Sequence, residues 1–482
     1  MNDLEVLFVL GPAVLLLAIV CELIWRNRYV KQWVARKTLH IGAVGACAIA
    51  PLLLEDLTAL IWIVISSELV LIWLVLKGHL FDQEDGKRSW GIMLFPLPYL
   101  FLLLVEEDRW LISLPMCILA FSDALAAIAG NLYTRGRYSL TGDPKSIIGS
   151  SVFFVVTCVM LLPFAQFREV IAGLDLLHGI VLLVSISVII TLLEAIGSRG
   201  WDNIFIPLSA WLLIGSMEVQ TTVSLQRIAL EEGLILLSLM IFFPVVLRSK
   251  WLRWSGAIAA MLIAMWVVFF AGMKWLLPLI LFLALSSLIG KAFQRKRNTV
   301  HGDVKEGKPR DAMQVLCNAG VFAVAAAVFQ PPYAAIAMAI SITISAADTW
   351  ASEIGTAMRS VTRDIFSWRE VPAGLSGGVS LPGSMAALAG SFIFGIIGSG
   401  MSGEKEFLNF TLLIVAGGML GMLFDSLLGS LLQPRFRNAN GEFSDRSDQG
   451  KKISGFNWMN NDLVNLFSNA LVTAVMIWWI HG

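Results

Sequence analysis

Uninterrupted apolar runs recur along the chain, each close to the ~20 residues that a helix needs to cross a bilayer. Sixteen can be delimited, near residues 4–25, 38–54, 57–77, 90–105, 110–130, 146–165, 178–197, 203–217, 229–247, 255–273, 275–291, 311–330, 333–350, 382–400, 407–432 and 461–480. The runs are continuous rather than alternating, so helices are expected and not a barrel. Of 482 residues, 57% are hydrophobic and 15% charged, against roughly 45–50% and about 25% in a soluble domain. The expected fold class is therefore all-α: a polytopic integral membrane protein of about 14–16 transmembrane helices.

The first run lacks a basic leader and a small-residue cleavage site, and is expected to be a retained helix rather than a signal peptide. Cys21, Cys47, Cys117, Cys158 and Cys317 stand singly in apolar stretches, which argues against a disulfide framework or a zinc site. Formal net charge is zero, so no nucleic-acid partner is expected. With the N-terminus outside, 30 of the 35 Lys and Arg fall in cytoplasmic loops. This positive-inside bias sets the expected orientation, in what is expected to be a prokaryotic cytoplasmic membrane. Asp123, Asp143, Glu194, Asp202, Asn203, Asp303, Asp348, Glu353, Asp425, Asn461 and Asp462 fall at or near that same face. Carboxylates at membrane depth are costly and point to function, so the chemistry is expected at the cytoplasmic face.

Residues 30–216 and 305–480 can be laid in parallel as two tandem related bundles. RKTLHIG opens an outward helix in the first, PRDAMQVLCNAG in the second. A returning helix then ends in Asp-x-x-Ala-x-x-x-Gly, at Asp123 and at Asp348. A polar loop follows, SLTGDPKSIIGSS or VPAGLSGGVSLPGS, then an inward helix ending in an acid, Glu194 or Asp425. An amide-bearing turn leads outward, WDNIFIP or MNNDLVN. The expected organisation is a first membrane domain over 1–220, connecting helices with a basic loop over 221–304, and a second membrane domain over 305–482.

In the loop around Asp143, Lys145 supplies a cation. Ser146 and Gly149 sit at a helix start, whose free N–H groups and dipole suit phosphate oxygens. The Walker A pattern is absent, and an ordinary capped helix with a snorkelling lysine accounts for the same residues. Asp123, Glu194 and Asp202 can supply carboxylates to Mg2+, which phosphoryl transfer needs for charge neutralisation. Ser122 and Asn203 stand beside them as donors, and Asn203 also as a carbonyl acceptor. Arg36 is a candidate phosphate fork. His40, one turn on, is a candidate base or a structural donor. The second half offers Lys305, Lys308 and Arg310 ahead of a helix, and Asp348 and Glu353 near a helix end. Ser376, Gly377 and Gly378 form a turn of the kind that cradles phosphate. Asp425, Asn461 and Asp462 complete the set. An intramembrane acid bonded to a neighbouring helix is the structural alternative for each carboxylate.

RKTLH (36–40), FSDALAAIAG (121–130), GDPKSIIGS (142–150) and the Glu194 to Pro207 stretch resemble the phytol kinase and dolichol kinase (polyprenol kinase) family, itself distantly similar to phosphatidate cytidylyltransferase. Ser122-Asp123 stands where that family usually has Gly-Asp, and Ile147 where it usually has Trp. GKPRDAMQVLCNAG, DTWASEIG, GLSGGVS, GMLFDSLLGSLLQ and NNDLVN resemble the family of transmembrane protein 19 and the plant phytyl-phosphate kinase. The resemblance implies two phosphorylations. The first half would convert an isoprenoid alcohol to its monophosphate and the second half would convert that to the diphosphate. It also implies Mg2+ and a nucleoside triphosphate donor, CTP ahead of UTP or ATP. On this reading Asp123, Lys145, Arg36, His40, Asp348 and Arg310 act in catalysis, and Ser122, Asp143, Ser146, Gly149, Asn203, Lys308, Ser376, Gly377, Gly378 and Asn461 bind the nucleotide. Asp123, Glu194, Asp202, Asp348, Glu353, Asp425 and Asp462 hold metal. A cytidylyltransferase and a lipid-phosphate transporter are the competing classes; polar groups gathered at one face rather than midplane weigh against transport.

Overall fold

The computed structural model describes residues 2–77, 90–133, 135–167, 173–301, 309–358, 360–403, 406–437, 443–445 and 450–481, and the structural statements below concern those residues. Every expected apolar run is helical. Nine helices are long and apolar enough to cross a membrane, or ten if the bent pair Thr222–Leu239 and Ile241–Ser249 counts as one span. Four shorter apolar helices accompany them. Pro96 breaks the 90–105 run into Gly91–Leu94 and Pro96–Val105, because proline cannot continue an intrahelical ladder. Gln32–Leu53 and Asp202–Glu218 begin with the charged residues of the candidate site.

The chain forms two compact units, Met1–Leu236 and Leu237–Gly482. The division falls inside the stretch 221–304, expected as connecting helices. Its part beyond Leu236 belongs to the second unit, where Trp254–Ala271 packs on Ala312–Val328.

In each unit the most enclosed span carries the aspartate singled out by sequence. Helix Arg109–Leu132, with Asp123, is 67% buried over its apolar window, against 6% for Asp3–Arg26 and 33% for Leu176–Ile196. Helix Tyr333–Gly355, with Asp348, is 78% buried. Its alanines and serines let Leu381–Ser402 and Phe407–Leu432 approach closely, as small residues do between membrane helices. The Asp123 helix carries one irregularity. Residues Ile118–Asp123 form a π segment just after Pro115, a local widening found often at functional sites.

The two units share a local plan. In the first, β1 (Arg137–Tyr138) pairs antiparallel with β2 (Lys145–Ser146), which runs directly into helix Ile147–Phe167. In the second, β3 (Thr362–Asp364) pairs antiparallel with β4 (Gly378–Ser380), which runs into helix Leu381–Ser402. Ser146 Oγ accepts from Gly149 N–H (3.0 Å), and Ser380 Oγ accepts from Gly383 N–H (3.3 Å). A methyl group at Gly149 would lie 3.0 Å from the Ala126 carbonyl oxygen, and one at Gly383 would lie 3.0 Å from the Ala351 carbonyl oxygen. In both units, then, a serine caps a helix whose fourth residue, counted from that serine, presses on the Asp-x-x-Ala backbone. That is the geometry expected of repeated units.

Candidate functional site

In the first unit, Lys37 and His40 lie three residues apart on one face of Gln32–Leu53 and both address Asp123. Lys37 Nζ is 2.6 Å from Asp123 Oδ2 and His40 Nε2 is 3.4 Å from the same oxygen. His40 Nε2 also lies 3.2 Å from the Leu119 carbonyl oxygen, inside the π segment. Lys145, on β2, reaches Glu194 Oε1 at 2.5 Å and Asp202 Oδ2 at 3.3 Å. Burial works against the Lys145 charge, but Glu194 and then Asp202 outweigh it, and the ammonium is held above its ordinary value. The carboxylates of Asp123, Glu194 and Asp202 each place an oxygen within 4.8 Å of the others. Among the described residues this is the one place where three such groups converge.

The donor chemistry fits a hard divalent cation. Mg2+ takes oxygen ligands at ~2.0–2.1 Å, which sets opposed donors about 4.2 Å apart. The Glu194 Oε2 atom is buried without a hydrogen-bond partner, a costly state that a cation would relieve. Asp123, Glu194 and Asp202 would hold the ion, and Lys37 and Lys145 would be released toward phosphate oxygens.

Other residues expected to bind nucleotide also make contacts within the protein. Ser122 is fully buried and accepts from Thr157 Oγ1 (3.0 Å). Asp143 Oδ2 accepts from Arg199 N–H (2.6 Å), pinning the loop. The Asn203 amide donates to the Gly91 carbonyl (2.8 Å). Gly149 serves the helix crossing, and Ser146 serves as its cap. Lys37, next to Arg36 in the sequence, is bonded to Asp123. Its three-residue offset from His40 was the available signal.

In the second unit, Asp348 and Asp425 meet carboxyl to carboxyl. Ser468 donates to Asp425 Oδ1 (2.9 Å), and the Asn465 amide, turned toward it, lies 3.1 Å away. Asp348, Glu353 and Asp462 line a cavity of about 150 Å3 together with Arg310, Gln314, Asn318, Asn461 and Asn465. The four acids expected to hold metal here do not converge as the first unit's three do; Asp425 is paired with Asp348 instead. Arg310 is fixed by an isolated β-bridge to Leu252, with Arg253 N–H donating to its carbonyl (2.8 Å) and its own N–H donating to the Trp251 carbonyl (3.1 Å). Its guanidinium lies 5.5 Å from the Phe282 ring centroid, and burial pulls its pKa down to about 10, so it stays charged at neutral pH.

Lys305 and Lys308 lie outside the described residues. The turn at Ser376, Gly377 and Gly378 is not an open cradle. Ser376 N–H donates to Asp445 Oδ2 (2.8 Å), Ser376 Oγ to Gln433 (2.5 Å), and Gly378 N–H to the Leu375 carbonyl (2.9 Å). The turn belongs to a latch that the sequence did not disclose. Arg435 joins Asp364 and the Ser376 carbonyl, and Ser430 donates to Asp364. Asp364 is buried, which alone would raise its pKa, but hydrogen bonds from Ser367, Arg435 and Ser430 bring it down to about 2.

The fold and its buried charges thus define a polytopic helical membrane protein with polar clusters enclosed by its central helices. The chain belongs to the DUF92 family of integral membrane proteins, whose model matches residues 237–473. It is 30% identical to Protein PGR of Arabidopsis thaliana over 255 residues, 47% of this chain and 88% of the relative. It is 28% identical to the uncharacterized membrane protein MJ0933 of Methanocaldococcus jannaschii over 220 residues, 45% of this chain and 88% of the relative. Protein VTE6, chloroplastic, of Arabidopsis thaliana is 29% identical over 132 residues, 27% of this chain and 33% of the relative. No solved structure matches the chain.

Proposed function

We propose that the chain is a membrane phosphotransferase with two sites, the first acting on an isoprenoid alcohol and the second on its monophosphate. The observation that carries this reading is the convergence of Asp123, Glu194 and Asp202, from three helices, on one point flanked by Lys37 and Lys145. Metal-binding carboxylates plus mobile cations are what phosphoryl transfer from a nucleoside triphosphate requires. Bound Mg2+ would neutralise charge on the transferring group. Lys145 and Lys37 would clamp its oxygens. The alcohol oxygen forms the new P–O bond, the bond to the leaving nucleoside diphosphate breaks, and the hydroxyl proton passes to a carboxylate of the cluster. The repeated local plan supports a second transfer in the second unit, around Asp348 and its cavity. A product with a long isoprenoid tail stays in the bilayer, since each buried CH2 contributes about 0.8 kcal/mol. The loop charges favour the cytoplasmic face for both sites.

The test is purified protein with γ-32P-labelled CTP, UTP and ATP and a panel of prenols, read by thin-layer chromatography. The expected result is labelled monophosphate followed by diphosphate. Retention of the CMP moiety on the lipid would identify a cytidylyltransferase. Absence of transfer together with counterflow in liposomes would identify a transporter.

A further inference from the structure

The local plan shared by the units leaves the second one short of a cation. The residue just before the capping serine is Lys145 in the first unit, where it binds two acids, and Val379 in the second. The second unit's cavity takes its cations from elsewhere: Lys250, Lys291 and Arg310 line it, together with the acids Asp348, Glu353 and Asp462. Arg310 Nη1 is buried with no hydrogen-bond partner, a state that costs free energy unless an acceptor arrives. Lys250 holds φ at 56°, a left-handed conformation that disfavours any residue with a Cβ and is usually left to glycine after a helix. Such strain is retained where the side chain is needed. Lys291 Nζ bonds the Ser249 carbonyl at 2.5 Å, which sets it beside Lys250 at the cavity wall. At about 150 Å3 the cavity falls below the ~300–1,000 Å3 of pockets that enclose whole drug-sized ligands. It is too small for a nucleotide or an isoprenoid tail.

We propose that this cavity is a headgroup site for a phosphate monoester, clamped by Lys250, Lys291 and Arg310, with the lipid tail left outside. This deepens the phosphotransferase reading and rests on it for the identity of the lipid. The anion itself has two possible sources, a lipid phosphate and a nucleotide's terminal phosphate.

The experiment measures binding, so that it does not depend on turnover. The probe is 32P-labelled farnesyl monophosphate on the detergent-purified full chain. Competitors are inorganic phosphate, farnesol and CTP. The variants are Lys250→Gln/Lys291→Gln and the charge-keeping Lys250→Arg/Lys291→Arg, with thermal midpoints confirming that both fold. The expected result is at least tenfold weaker binding in the Gln pair, near-normal binding in the Arg pair, and competition by inorganic phosphate but not by farnesol. Unchanged affinity in the Gln pair, or competition by farnesol equal to that by phosphate, overturns the proposal. Weakened CTP binding with farnesyl monophosphate unaffected overturns the headgroup assignment. A wild-type chain that binds the probe through these lysines yet transfers no phosphate overturns the kinase reading and leaves the site standing.

Discussion

Replacing Lys145 with glutamine separates a cation site from an ordinary buried ion pair. The Lys145 side chain is 17% exposed, Glu194 6% and Asp202 19%, so the variant leaves two poorly solvated carboxylates facing each other, with Asp123 within 4.8 Å. Removing one partner of a buried pair costs ~3–5 kcal/mol, and the partial exposure of Asp202 places this case near the lower figure. For a unit of Met1–Leu236, 3 kcal/mol corresponds to a drop of roughly 6–12 °C in unfolding midpoint. Without the competing ammonium, the three carboxylates bind Mg2+ more tightly. Saturation to ~100 times Kd contributes about 2.7 kcal/mol, nearly the whole loss. The assay is thermal unfolding read by a thiol-reactive dye, which reports on the five free cysteines, in EDTA and in millimolar Mg2+. The expected outcome is a variant much less stable than wild type in EDTA and close to it in Mg2+. A variant as stable as wild type in EDTA, or one with the same Mg2+ response as wild type, refutes the cation site.

Gly149→Ala and Gly383→Ala each drive a methyl against a backbone carbonyl at 3.0 Å, and each is expected to cost ~1–3 kcal/mol. Gly179→Ala, with nothing within 4 Å, is expected to be neutral or stabilising, and melting curves compare all three. Asp364 has a folded pKa of about 2, below its unfolded value. Its stabilisation is thus present above about pH 4 and lost as pH falls toward about 2. Tryptophan-fluorescence stability of wild type against Asp364→Asn should show a gap at pH 6 that closes over that window, and a constant gap contradicts the latch. Asn203→Ala loses the bond to Gly91 and should reduce stability by about 1 kcal/mol while leaving the KM for nucleotide unchanged. A raised KM restores Asn203 to the nucleotide site.

The helices were legible because a bilayer admits few alternatives for long apolar runs. Asp123 and Asp348 were legible for the same reason: a carboxylate amid such runs needs enclosure, and the two most buried spans provide it. Glu194 and Asp202 could be grouped with Asp123 because all three mark helix ends at one expected face. What local sequence left open was finer. Ser122, Asp143 and Asn203 have the chemistry of ligand donors, but a donor's target is fixed by tertiary contact, and theirs are Thr157, Arg199 and Gly91. The latch between Asp364 and Arg435 joins residues 71 apart, and no local pattern announces it. The division at Leu236 was not legible either, because hydropathy reports helices and not what they pack against.

The central claim is that the two aspartates serve successive transfers. Wild type, Asp123→Ala and Asp348→Ala, each supplied with prenol and γ-32P-labelled nucleotide, should give three patterns on one thin-layer plate. Wild type should yield diphosphate, Asp348→Ala should accumulate monophosphate, and Asp123→Ala should yield neither from the alcohol yet convert added monophosphate to diphosphate. Monophosphate formed from the alcohol by Asp123→Ala, or diphosphate formed by Asp348→Ala, would contradict the account.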